Sequence, residues 1–331
     1  MKRLKKVWQL RRYIMIPPGA PRLNFLAAII GALALGILLL TFHVKPAGAG
    51  LDNSAFAAPK LQVSPTPVAS AADVRGLSSL SVDELNKRIN NAIHGSRVAL
   101  ELHVAQLEVG KHRIERFPDY SATFLKQERV DGNDVQDLQT IQLKLRHKPF
   151  SVHMEWLEGG DVGRRVLFVE GQFDEKMQVR LGGTKGKMLP IMKLEPTGSL
   201  AMKESRHPVT EMGLLQLAEL IHKYRKRDLD LKRGVQWEML PNQQFLDHVC
   251  DCWVVEYTDK EIEPVYRKSI TYIDKELSLP ICVKNFGWAD EGADTSDQAA
   301  LDEATLIEYY GYTEIKFEHR LSDAEFDKLR R

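Results

Sequence analysis

The sequence has few of the residue patterns that carry enzyme chemistry. It contains no G-x-S-x-G nucleophile elbow, no H-E-x-x-H metal motif and no Walker phosphate loop, the spacings by which many hydrolases, metalloproteases and nucleotide-binding proteins arrange their reacting groups. The Gly- and Lys-rich run at residues 182–187 lacks the phosphate-loop spacing and is interpreted as a hairpin turn. The sequence therefore predicts no catalytic residue, no metal site, no cofactor and a role other than catalysis.

Cysteine is also scarce. The chain has three cysteines, Cys250, Cys252 and Cys282, and an odd number leaves at least one thiol unpaired. Cys250 and Cys252 share one face of an apparent strand, where a bridge between them would be strained. A cross-strand disulfide between Cys252 and Cys282 is the pairing that is easier to build. Three buried reduced thiols are the alternative, and this alternative is the favoured one.

Acidic residues are absent from the start of the chain, where the first is Asp52. Eight basic residues precede residue 51, and residues 25–42 form an uncharged apolar run of about the length that crosses a bilayer. The positive-inside bias predicts a cytoplasmic N-terminus and export of all that follows. We expect a basic cytoplasmic segment at 1–24, a transmembrane helix or signal core at 25–42, a linker rich in Pro, Ala and Ser at 43–80, and an exported domain at 81–327.

The apolar run could be a permanent anchor or a cleaved signal. Ala47, Gly48 and Ala49 form an A-x-A cleavage site. The length of the run and the intervening Lys45 favour an uncleaved anchor. The predicted location is the inner membrane, with the domain outside the cytoplasm, and the alternative is secretion to the periplasm after cleavage.

The net charge of the exported part argues against nucleic-acid binding. Residues 51–331 hold 38 of the 46 basic residues and all 45 acidic residues. A net-acidic domain is a poor partner for a polyanion. The membrane, through residues 25–42, is the partner that the sequence predicts.

Apolar periodicity predicts an α+β fold. Ser81 and Glu84 form a capping box that starts a helix. Alternation with a period of two begins at Tyr120 and marks one set of strands, and a second set follows an apolar helix at 210–226. Short turns favour antiparallel meanders, and a sheet this large must curl or split. The expected architecture is a curved antiparallel half-barrel with a helical lid or plug.

Three segments resemble a known group of bacterial proteins. The run from Tyr120 through Phe124 to Gly132, the run from Tyr272 through Pro280 to Trp288, and the tail at 309–327 are similar to an uncharacterised family, DUF1571, within the lipoprotein-carrier superfamily of Lol-type half-barrels. The resemblance covers about residues 80–327. It implies a curved sheet, a helical lid and an apolar cavity for acyl chains, with no assigned activity.

The apolar face of the sheet and the 210–226 helix give the candidate ligand cavity, with a lipid or a lipoprotein acyl chain as the expected ligand. The alternatives are a structural or interaction module of the cell envelope without a ligand and, less favoured, an envelope hydrolase that uses the acidic residues at 256–263 or 290–297. The residues predicted to line the cavity are Phe124, Leu143, Leu145, Trp156, Phe168, Met177, Met212, Leu215 and Trp253.

Overall fold

Eleven antiparallel strands form one open sheet in the computed structural model, which describes residues 80–92, 95–130, 134–317 and 320–329. The first six strands are β1 (Asp119–Glu128), β2 (Gln139–Arg146), β3 (Ser151–Glu158), β4 (Arg165–Val169), β5 (Met177–Arg180) and β6 (Met192–Leu194). The other five are β7 (Val235–Phe245), β8 (His248–Tyr257), β9 (Lys268–Asp274), β10 (Pro280–Phe286) and β11 (Leu306–Lys316).

The sheet consists of two meanders joined at one seam. Its strand order is β6-β5-β4-β3-β2-β1-β11-β10-β9-β8-β7, so each meander follows the chain and only β1 and β11 pair across a long sequence separation. The seam aligns Phe124 with Tyr312 and Glu128 with Glu308. The antiparallel α+β architecture that the sequence predicts is confirmed in this form.

The α-helices of the described part of the chain are α1 (Val82–Asn91), α2 (Arg97–Ile114), α3 (Gly183–Met188), α4 (Ser199–Met202), α5 (Leu214–Asp230) and α6 (Gln298–Thr305). The predicted cap at Ser81 is present, since its hydroxyl accepts a hydrogen bond from the Glu84 N–H at 3.2 Å. No described helix is long and apolar enough to cross a membrane. The predicted segments at 1–24 and 25–42 lie outside the described residues.

The strand register divides the sheet into two faces. Phe124 is aligned with Ile141 on β2 and Tyr312 on β11, and we call the side that bears them the helical face, because α1, α2 and α5 pack on it. Leu125 and the three cysteines occupy the opposite side, which we call the thiol face. Both faces contribute buried apolar residues to the core.

The α2 helix approaches the sheet closely at Gly110. A Cβ atom at this position would lie 2.0 Å from the backbone oxygen of Ser278 in the turn between β9 and β10. Only glycine permits this contact without moving one of the two backbones. The approach brings Leu107 of α2 and Ile221 of α5 into one cluster with Trp253 and Ile273.

The α5 helix starts four residues later than the sequence predicts. Thr210 does not cap it but lies in a 3₁₀ turn, Val209–Glu211. Gly213, with φ of 119°, precedes the first turn, and the Leu214 N–H donates to the Tyr120 hydroxyl at 2.9 Å. A β1 side chain therefore replaces the usual capping residue and sets where α5 begins on the sheet.

The β7–β8 hairpin bends over the thiol face. In the sheet order three strands separate β7 from β11, yet the Thr313 hydroxyl of β11 donates to Asp247 in this hairpin at 2.9 Å. A Cβ atom at Gly311 would lie 3.1 Å from the Phe245 Cζ atom. Such contacts across several strands require a strongly curled sheet.

The predicted Cys252–Cys282 disulfide is wrong. Tyr272 of β9 is aligned with Cys252 on one side and Cys282 on the other, so the two cysteines are two strand spacings apart, about 10 Å. A disulfide needs Cα atoms within about 7 Å. All three cysteines are buried free thiols, the alternative that the sequence favoured.

One local prediction also needs correction. The Gly- and Lys-rich run is not a simple turn, because Gly183–Met188 forms the short helix α3 and leaves β6 only Met192–Leu194. In the acidic run at 290–297, the Asp297 carboxylate caps α6 by accepting from the N–H groups of Ala299 and Ala300.

Replacing Phe245 with alanine should destabilise the fold by about 3–5 kcal/mol, because its ring is 2% exposed and packs 5.5 Å from the Tyr272 ring. Leu246→Ala in the same hairpin, at a 37% exposed position, is the matched control and should cost less than about 1 kcal/mol. Denaturant unfolding of both variants measures the difference. An equal loss of unfolding free energy in the two variants would mean that the hairpin does not close over the thiol face.

Candidate functional site

A cavity of about 370 Å³ lies between the helical face and α5. We call it the α5 cavity. Its apolar wall combines strand residues with one side of the helix, and its polar residues come from several strands, from α5 and from the segment before α5. The apolar lining includes Phe124, Tyr312, Val283, Met212, Leu217 and Ile221.

A second cavity of about 310 Å³ lies over β2 to β6, under the segment at 196–212. We call it the edge cavity. The strand residues in its lining are almost all apolar. They include Ile141, Met154, Trp156, Val166, Met177, Val179, Met192 and Leu194.

The two cavities adjoin at a short common wall. Lys126, Ser205, His207, Pro208 and Met212 line both. Met212 lies just before α5, and its sulfur accepts a hydrogen bond from the Tyr312 hydroxyl at 3.7 Å. Movement of the 205–212 segment would therefore change the wall that separates the two cavities.

The residues predicted to line a ligand cavity are placed as follows. Phe124 and Met212 line the α5 cavity, and Trp156, Met177 and Met212 line the edge cavity. The register puts the seven strand residues of the prediction on the helical face, among them the buried core residues Leu143, Leu145 and Phe168.

The other two predicted residues lie outside both linings. Leu215 is partly buried against the core. Trp253 stacks on His103 of α2, with ring centroids 4.2 Å apart. Whether this set of residues binds a ligand stays a prediction.

Two buried carboxylates at the seam are the feature that the sequence analysis missed. Glu128 and Glu308 are directly aligned across β1 and β11, and each is 1% exposed. Both line the α5 cavity. Two like charges in this position would repel strongly unless cations and hydrogen-bond donors balance them.

Glu308 has five hydrogen-bonding partners, the most distant being the Tyr310 hydroxyl, 3.5 Å from Oε2. Its Oε1 atom accepts from the Tyr266 hydroxyl at 2.9 Å and from the Asn285 amide at 2.7 Å. Its Oε2 atom lies 2.9 Å from Arg206 Nε and 3.2 Å from His207 Nε2. Two neighbouring residues of the 205–212 segment are thereby bound to β11.

Glu128 holds the same segment from β1. Its Oε2 atom accepts from the Arg206 backbone N–H at 3.1 Å and lies 3.1 Å from Lys126 Nζ. Its Oε1 atom accepts from the Tyr310 hydroxyl. The Lys126 ammonium also donates to the Ser205 hydroxyl at 3.1 Å, so the segment is attached to the sheet by both carboxylates.

The electrostatics around Glu308 favour its ionised state. Burial would raise the pKa of Glu308, but hydrogen bonds and charge from His207, with Asn285 and Arg206, outweigh it and lower that pKa to about 2. Burial would lower the pKa of His207, and its bond to Glu308 overcomes this and raises the pKa above 6.5. At neutral pH Glu308 is therefore a bound anion rather than a proton donor.

One signal in the sequence pointed to this cluster. The period-two pattern of β1 places Lys126 and Glu128 on the same face as Phe124, which puts a charged pair on an apolar face. Nothing local indicates that Glu308 lies opposite, because the β1–β11 register is set by the whole fold. The acidic residues at 256–263 and 290–297, considered for a hydrolase, line neither cavity.

A family model described as a protein of unknown function, DUF1571, matches residues 117–330, so the chain belongs to this family. The family that the sequence resembles is thereby confirmed. No curated protein matches the chain.

Several solved structures are similar to this chain at low identity. Lipoprotein LppX of Mycobacterium tuberculosis is 10% identical with a TM-score of 0.36, over 66% of this chain and 98% of that one. A LolA superfamily protein of Nitrosomonas europaea is 11% identical with a TM-score of 0.27, over 63% and 90%. A DUF1329 family protein of Desulfovibrio piger is 11% identical with a TM-score of 0.32, over 69% and 97%. Scores this low carry no argument about function.

His207→Gln should lower the free energy of unfolding by about 1–3 kcal/mol at pH 6, because it removes a charged hydrogen bond to a buried carboxylate. The pKa of His207 is higher in the folded chain than in the unfolded chain, so its charge stabilises the fold fully below pH 6.5. This stabilisation is lost as the pH rises through the folded-state pKa. The difference between wild type and variant should therefore shrink between pH 6 and pH 9.

Urea unfolding at several pH values measures this difference. His112→Gln is the control, because His112 has a 70% exposed side chain and lies outside the cluster. If His207→Gln lowers the free energy of unfolding by the same amount at every pH, the His207 charge does not hold the 205–212 segment.

Proposed function

We propose that this member of the DUF1571 family binds an amphiphile with a long acyl chain, a lipid or a lipoprotein, in the α5 and edge cavities. The observation that carries the proposal is the pair of adjoining cavities, one with a charged end and one with apolar walls. In this role the chain is a binding protein rather than an enzyme.

The size and lining of the cavities support an apolar ligand. Each volume falls within the range of about 300–1,000 Å³ of small-molecule sites. Met154, Met177, Met192 and Met212 contribute flexible thioether side chains, which adapt to an acyl chain without directional bonds. A shift of Met212 at the common wall would allow one chain to extend from the α5 cavity into the edge cavity.

The charged end supports an amphiphile over a wholly apolar molecule. Glu128, Glu308, Asn285, Tyr266 and Ser269 lie at one side of the α5 cavity. The two carboxylates already have their partners, so they position neighbouring donors and acceptors and leave a polar surface for a head group. A ligand would lie with its polar end near the seam and its tail toward Met212.

The same cluster is unfavourable for a hydrolase. A paired-carboxylate mechanism needs one acid with a raised pKa beside one ionised base. Glu308 has a pKa of about 2, and each oxygen of both carboxylates already accepts a hydrogen bond or pairs with a cation, which leaves none directed at a substrate. The geometry therefore supports a structural and positioning role for this pair.

In this proposal the curled sheet is a half-barrel, and α5 with the 205–212 segment is its lid. The ion pairs of Arg206 and His207 keep the lid closed, and they must loosen for a ligand to enter. Residues 25–42, as a transmembrane anchor, would keep the domain beside one membrane and outside the cytoplasm.

A photoactivatable diazirine fatty acid tests the proposal on the full chain held in lipid nanodiscs. Adducts should map to cavity-lining peptides, including 205–224. Met212→Trp fills the common wall of the two cavities and should reduce these adducts by about tenfold, a loss of about 1.4 kcal/mol in affinity.

Leu246→Trp is the control, since it adds the same indole at an exposed position outside both cavities, and it should leave the adducts unchanged. Adducts confined to peptides outside the cavities would contradict the proposal. An unchanged yield in Met212→Trp would do so as well.

A further inference from the structure

Three segments meet at one end of the first meander. The β3–β4 turn and the β5–β6 connection lie at the same end because these strands are antiparallel. The Gly182 N–H donates to the Asp161 carboxylate at 3.0 Å. Arg164 lies 3.4 Å from the same carboxylate and also pairs with Glu204, just after α4. These bonds hold the β3–β4 turn, α3 and the end of α4 together.

Large apolar side chains are exposed on all three segments. Met188 is 80% exposed, Leu189 50%, Leu200 63% and Val162 53%. We call these four residues with α3 the apolar tip. Scattered exposed apolar residues are normal, but several on segments tied to one another indicate a contact surface.

Basic residues outnumber acidic ones in the chain around α3. Residues 176–194 contain five basic residues, at positions 176, 180, 185, 187 and 193, and no acidic one. Lys176 pairs with Glu195 and Lys193 with Asp174. Arg180, Lys185 and Lys187 lie just before or within α3. Residues 51–331 as a whole are net acidic, with 38 basic and 45 acidic residues. Apolar side chains beside lysines are the combination by which peripheral proteins bind an anionic bilayer.

We propose that the apolar tip inserts into the surface of an anionic lipid bilayer. Met188 and Leu189 enter the boundary between head groups and acyl chains, while Lys185, exposed in α3, faces the lipid phosphates. Charge complementarity favours an anionic partner over a neutral one. The exposed apolar side chains favour a bilayer over an acidic protein surface, because they offer burial in acyl chains rather than directional bonds.

The tip adjoins the edge cavity. Leu200 belongs to both, and Leu181, two residues before α3, also lines that cavity. Docking would therefore place the rim of the edge cavity at the bilayer surface. This inference extends the proposed function but does not require an occupied cavity, so each can fail without the other.

The test uses the full chain in nanodiscs of phosphatidylglycerol or phosphatidylcholine that contain lipids with brominated acyl chains. Met188→Cys carries a nitrobenzoxadiazole probe. The native thiols are buried, and desolvation raises the pKa of Cys252 and Cys282 to about 12, so they should not react. Val249→Cys is the matched control, because Val249 is 48% exposed in the hairpin at the opposite end of the sheet.

We expect a blue-shifted and bromine-quenched probe at position 188 in phosphatidylglycerol, and an unshifted, unquenched probe at position 249. Lys185→Ala should weaken the interaction about fivefold, the contribution of one basic residue near an anionic surface. Met212→Trp should leave the quenching at position 188 unchanged.

Three results would overturn the inference. Equal quenching at positions 188 and 249 would show that the tip does not insert. Equal quenching in phosphatidylcholine and phosphatidylglycerol would remove the role of charge. Loss of quenching in Met212→Trp would show that the probe reports lipid in the cavity and not in the bilayer.

Discussion

The alignment of Glu128 with Glu308 is the constraint on which the candidate site depends. The seam between the two meanders places these carboxylates directly opposite each other and buries both. Buried like charges are stable only with cations and donors around them. Arg206 and His207 supply these from the chain before α5, so the need to balance the seam brings the 205–212 segment onto the sheet. The space that this segment and α5 leave is the two cavities.

Much of the fold could be predicted from local patterns. The alternation around Phe124 identifies β1 and its apolar side, and the apolar spacing of Leu214, Ala218 and Ile221 identifies α5 and its buried face. These patterns are visible because strand and helix periods are short. The start of α5 was not predictable, since the Tyr120 hydroxyl and the positive φ of Gly213 set it and neither has a local signal.

The site required long-range information that the sequence does not carry. Cys252 and Cys282 could be assigned to strands, but their separation depends on β9 lying between them. Glu308 belongs to a strand that begins after α6, and only the seam brings it to Glu128. The sequence therefore indicates the charged residues Lys126 and Glu128 on an apolar face. It does not indicate which residues pair with them.

The central claim is that a lid fixed by the Glu128–Glu308 pair covers a space for an acyl chain. The most direct measurement is a crystal structure of the full chain purified from a membrane-containing host without delipidation. The account predicts elongated electron density that passes beside Met212 from the α5 cavity into the edge cavity, with its polar end near Glu308. Cavities closed by repacked side chains, or filled by separate water molecules alone, would contradict it.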